Sequence, residues 1–114
     1  MTLTKKLKEI HGFHVSVGIP VYHYWRPIKH KEHWIIWAET GEGDSFHADN
    51  GKKEQVIQGS THVYTHKEFD PALDAVQTMF DVAGLSWVLT SVQYEDETNT
   101  IHYEWTWETG GKNG

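Results

Sequence analysis

The stretch from Ser86 to Glu108, SWVLTSVQYEDETNTIHYEWTWE, constrains the fold more than any other. In its second half Ile101, Tyr103, Trp105 and Trp107 alternate with His102, Glu104, Thr106 and Glu108, the period-two pattern of a strand with one apolar and one polar face. The first half alternates less cleanly: Trp87, Leu89 and Ser91 would share one face, with Val88, Thr90, Val92 and Tyr94 on the other. The polar connection Glu95 to Thr100 suits a turn between antiparallel strands. A two-stranded hairpin is marginal alone in water, so other parts of the chain must cover its aromatic face.

Two segments can supply that cover. Leu3, Leu7 and Ile10 fall at i, i+4 and i+7, which predicts a short amphipathic helix capped by Thr2 or Thr4 and ended by Gly12. Asp70-Pro71 opens a second helix that Gly84 closes, with Leu73, Val76, Phe80 and Ala83 as its buried stripe and Met79 beside it.

Three further strands are expected, at Ile19 to Tyr24, His33 to Ala38 and Glu54 to Thr65. The run His33-Trp34-Ile35-Ile36-Trp37-Ala38 is apolar on both faces, which suggests a strand covered on both sides, or on one side by a neighbouring subunit. Gly59 in mid-strand predicts a bulge or a close approach by another chain. Between these strands, Thr40 to Lys53 reads as a mobile loop with Asn50-Gly51 as a turn signal.

The expected fold is therefore α+β, in the order α-β-β-β-α-β-β. One mainly antiparallel sheet of about five strands carries both helices on a single face and ends in the hairpin. Residues 1–108 form one domain, and 109–114 are a disordered tail.

Composition narrows the function classes. A net charge of -6 with no basic cluster argues against a groove that grips nucleic acid phosphates. The absence of cysteine excludes thiolate chemistry and disulfides. No apolar run reaches the length of a signal peptide or a membrane span, so the chain is expected to be made and kept in the cytosol unless a larger particle carries it out.

Nine histidines raise the question of a metal. The close pairs are His11 and His14, His30 and His33, and His62 and His66. The last pair spans about 13 Å along a strand, too far to chelate together, and no His-Glu-x-x-His pattern is present. Glu39, Glu42, Asp44, Asp49 and Glu54, with Lys52 and Lys53, would be the carboxylates and cations of a small metal-dependent enzyme such as a nuclease. Most fall in the Gly-rich loop, without the strand spacing that would hold a cation. No catalytic, cofactor-binding or metal-ligating residue is assigned, and no cofactor is expected.

The aromatics are more numerous than one small sheet usually hides. Trp34, Trp37, Tyr22, Tyr24 and Trp25 are candidates for contact with other subunits, since Trp and Tyr concentrate at interface centres. A plain binding module, with a small ligand on the aromatic patch, is a third reading.

The strings GIPVYHYW (Gly18 to Trp25), WIIWAETGEGDSFHADN (Trp34 to Asn50), KKEQVIQG (Lys52 to Gly59), DPALDAVQ (Asp70 to Gln77) and the stretch from Gly84 to Glu108 resemble small structural proteins of the tail-gene cluster of tailed bacteriophages and Gram-positive prophages. The resemblance covers nearly the whole chain. It implies a tail completion or tail terminator protein, often labelled a minor capsid protein: a non-enzymatic subunit that assembles as a ring, a hexamer by that resemblance, on the tail tube and joins it to the head.

The partners implied are further copies of the chain and the tail-tube and head-connector proteins. DNA would pass without specific binding, no membrane would be involved, and the location would be the virion, with assembly in the host cytoplasm. On this reading the ring contacts fall to the Trp34 strand, the exposed aromatics and the loop residues Glu42, Asp44, Phe46, Asp49 and Lys52.

Overall fold

The computed structural model describes residues 2–25, 31–43 and 55–110. The chain runs α1 (Leu3–Val15), β1 (Val21–His23), β2 (His33–Glu42), β3 (Ile57–Thr65), α2 (Ala72–Val82), β4 (Leu85–Glu95) and β5 (Thr100–Thr109). The strands form one five-stranded sheet in the order β1-β2-β3-β5-β4, with β1 parallel to β2 and every other pair antiparallel. This is the α+β arrangement that the sequence predicts.

Both helices contribute to one core on one sheet face. Ile10 from α1 and Val76, Met79 and Phe80 from α2 pack with Ile35, Trp37, Val63, Trp105 and Trp107 from the strands. In β3 the residues Ile57, Gly59, Thr61, Val63 and Thr65 are all buried and the intervening ones are not, as period two requires of a central strand with one covered face.

The uneven alternation in β4 has a local cause. The register against β5 slips between Leu89 and Ser91, leaving Thr90 as an extra residue whose hydroxyl donates to the Glu104 carbonyl at 3.0 Å. Trp87 and Leu89 pair with Trp107 and Trp105 before the bulge, and Val92 and Tyr94 pair with Tyr103 and Ile101 after it. One inserted residue thus keeps Trp87, Leu89, Val92 and Tyr94 on the helix side along the strand, while Val88 faces the other way beside Thr106.

Two boundaries differ most from expectation. Helix α1 continues through Gly12 to Val15, because His14 docks into the core at its far end; Gly18, at φ 98°, carries the left-handed turn instead. The cost of an interior glycine, about 1 kcal/mol, is offset by that docking. Strand β2 runs on to Glu42, so Thr40 to Glu42 belong to the sheet and not to a loop. Residues 44–53 of the expected loop, Glu54 at the start of the expected third strand, and residues 111–114 of the expected tail lie outside the described residues.

Gly59 is explained within the chain. A Cβ there would lie 2.5 Å from Cη2 and Cζ2 of Trp107 and 2.7 Å from the Ala38 carbonyl oxygen, so the close approach comes from the neighbouring strands. The bulge at this level is in the partner strand, between Glu39 and Gly41.

Candidate functional site

The residues singled out from sequence divide by where the sheet places them. Trp34 and Trp37 are each 1% exposed and belong to the subunit interior, which corrects the expectation that they supply a contact surface. Residues of β2 alternate between faces. Trp37 points to the helices, donates from Nε1 to His11 Nδ1 at 2.9 Å and stacks on His14 and His23. Trp34 points to the other face and stacks on Tyr64 with ring centroids 5.3 Å apart.

Tyr22 is half-buried beside Ile36, whereas Tyr24 and Trp25 are exposed, Trp25 by 77%. Glu42 is exposed at the end of β2 and accepts from the Gln55 side chain at 3.2 Å. Asp44, Phe46, Asp49 and Lys52 lie outside the described residues.

Tyr24 is held in an uncommon conformation. Its φ is 73°, in the left-handed region that bulky residues avoid at a cost of order 1–3 kcal/mol. Two hydrogen bonds fix it: its N–H donates to the Trp37 carbonyl at 3.0 Å and its hydroxyl to the Glu39 carbonyl at 2.8 Å. The consequence is that the chain leaves β1 sharply and carries Trp25 into solvent.

The opposite edge has the same character on a larger scale. β4 is the outer strand on that side, eleven residues long, and from Leu85 to Tyr94 it contains no charged residue. Val88, Leu89, Val92 and Tyr94 are 42–60% exposed. Of ten exposed large apolar or aromatic side chains among the described residues, six lie in or beside the two outer strands, so the exposed apolar surface gathers at opposite ends of one sheet. Protected edges are usually short, charged or interrupted by proline. β4 has only its bulge.

Two histidine clusters were not legible from spacing. On the helix side His14 is fully buried, and its Nδ1–H donates to the Ile10 carbonyl at 2.8 Å. Its Nε2 accepts from the Thr61 hydroxyl at 2.7 Å, and that hydroxyl oxygen accepts from Trp107 Nε1–H at 2.8 Å. Burial pushes the His14 pKa down to about 4, against the opposing pull of the Ile10 carbonyl.

On the open face, Glu95, His102, His62 and Ser60 form a continuous chain, with contacts of 2.9, 2.7 and 3.3 Å. The Glu95 carboxylate only accepts, so His102 donates to it from Nδ1 and accepts at Nε2 from His62 Nδ1–H; His62 Nε2 is then left to accept from Ser60. Burial lowers the His62 pKa, Glu104 pulls the other way and His102 adds to the lowering. The contacts of His102 with Glu95 and His62 cross between strands, so linear spacing does not show them. His66 turns elsewhere, donating to the Asn99 carbonyl at 2.9 Å.

A third polar cluster ties the end of the sheet to α2. Asp70 accepts from His33 Nδ1 at 2.7 Å, from the Thr65 hydroxyl at 2.7 Å and from the Ala72 N–H at 2.8 Å. Burial alone would raise its pKa, but the hydrogen bonds from Thr65, His33 and Ala72 and the electrostatic pull of the neighbouring imidazole hold it below the usual carboxylate value.

Among the described residues no group of three or more His, Asp or Glu side chains is arranged to hold a metal ion. No helix there is long and apolar enough to cross a membrane. No protein-family profile matches the chain, and no curated protein matches it significantly.

Proposed function

We propose that this chain is a structural subunit of a bacteriophage or prophage tail, acting in tail completion or termination and in joining tail to head. The observation that carries the reading is the placement of exposed apolar side chains at the two opposite edges of one sheet, Tyr24 and Trp25 on one side and Val88, Leu89, Val92 and Tyr94 on the other. Two different sticky surfaces on opposite sides of a subunit favour head-to-tail association, which closes into a ring when the rotation between subunits allows. The resemblance of the sequence to tail proteins supplies the biological setting.

The acidic balance supports the same reading. A net charge of -6 would let DNA pass through a ring of such subunits without being held, because phosphate binding needs clustered cations. Electron microscopy of tails assembled without this protein tests the proposal. Tails of irregular length, or tails that fail to attach to heads, are expected; tails of normal length that join heads would overturn it.

A further inference from the structure

We infer that Trp25 of one copy seats in a groove beside β4 of a second copy, with β1 adding antiparallel to the β4 edge. This rests on the head-to-tail reading above and names the contact by which it is made. Three features of the sheet support it.

The first is direction. β1 runs with β2, and the three antiparallel steps from β2 to β4 leave β4 running opposite to β1. A second copy translated along the sheet therefore brings its β1 beside β4 in the antiparallel sense, the more stable pairing per residue. The three residues of β1 make only a short ladder, so most of the binding must come from the side chain that follows.

The second is level. His23 pairs with Trp37, Trp37 with Thr61, Thr61 with Trp105, and Trp105 with Leu89. Tyr24, one residue further along and just before Trp25, thus stands level with the next rung, which runs through Ala38, Ser60 and Thr106 and reaches β4 at Val88. At that rung an open groove of about 360 Å³ is lined by Gln58, Ser86, Val88, Thr106 and Glu108, with Trp87 and Trp107 at its base. Knob and groove meet without a rise between copies, as a closed ring requires and a helical filament does not.

The third is chemistry. Trp25 offers a large apolar body and one N–H donor, and the groove offers Val88 as apolar wall with the Gln58 amide and Glu108 carboxylate as acceptors. The hydrogen-bonded Tyr24 fixes the backbone that leads into Trp25, so less backbone freedom is lost on docking. Pairing of β4 with another β4 would leave Trp25 in water.

The chain has no cysteine, so introduced pairs report contacts cleanly. Tyr22 and Ser91 lie at opposite edges of one rung, linked through Ile36, His62 and Glu104. Oxidation of the Tyr22→Cys, Ser91→Cys double variant should give a ladder of covalent oligomers. Neither single variant should do so, and adding Trp25→Ala should reduce the ladder at least tenfold without moving the melting temperature. A discrete dimer from Ser91→Cys alone would overturn the inference in favour of β4 pairing with itself. Oligomers in sedimentation without a ladder would overturn it in favour of another surface. A monomer at every concentration, with no ladder, would also overturn it, while the tail assignment would still be decided by tails assembled without the protein.

Discussion

Trp107 lies across Gly59 so closely that the space a methyl group would need on Gly59 is already filled by the indole ring. The ring cannot swing away, because its Nε1–H is bound to Thr61 and the side chain is 1% exposed. One glycine therefore sets the distance between β3 and the core, and through Thr61 it also sets the position of His14 on α1.

Gly59→Ala is accordingly expected to destabilise the fold by about 1–3 kcal/mol, the cost of overpacking a well-filled core. The midpoint of urea unfolding measures it. An unchanged midpoint would mean that the ring has room the structure does not give it.

Acid should weaken the protein through His14. Above pH 6.5 the residue is neutral in both states and its contribution is intact. Below that value the unfolded chain takes up a proton that the folded chain refuses until about pH 4. Stability therefore falls across this window, by about 3 kcal/mol in total. His62, whose pKa burial also lowers, adds a slope of the same sign. Denaturant melts between pH 7 and 4.5 check this. His14→Phe, which cannot titrate, should lower stability at pH 7 and flatten the slope.

Removing Asp70 should cost more than an ordinary helix cap. Asp70→Ala takes one acceptor from each of Ala72, Thr65 and His33, so a loss of about 2–4 kcal/mol is expected. Asp70→Asn keeps an acceptor but loses the charge, and should fall between the two. Thermal unfolding ranks the three proteins, and an Asp70→Ala variant as stable as the parent would show that the Asp70 cluster does not hold α2 to the sheet.

Scaffold and contact surface should separate in their response to truncation. Trp105 is 1% exposed and donates to the Gln77 side chain, so Trp105→Ala is expected to lower stability by about 3 kcal/mol or more. Trp25→Ala should leave unfolding within about 0.5 kcal/mol of the parent, as for an exposed site. A reversed ranking in denaturant melts would show that the two residues have exchanged roles.

What the sequence determined alone is the set of elements and their faces. Period-two alternation in β3 and β5, the amphipathic stripes of α1 and α2, and the turn before Thr100 are local patterns, and local sterics and hydrophobic burial act on them before any distant contact forms. The same patterns could not tell which tryptophans are core. Trp34 and Trp25 look alike in sequence, yet Trp34 stacks on Tyr64 across a strand pair while Trp25 follows a left-handed Tyr24 into solvent.

Only the tertiary structure decided such matters, because each depends on register. The slip at Thr90 keeps Trp87, Leu89, Val92 and Tyr94 of β4 on one side, and the pairing of β3 with β5 brings His62 to His102. The sheet order leaves β1 and β4 as the two outer strands. Side chains dozens of residues apart meet or separate according to which strands pair and at what offset, and no spacing along the chain records that choice.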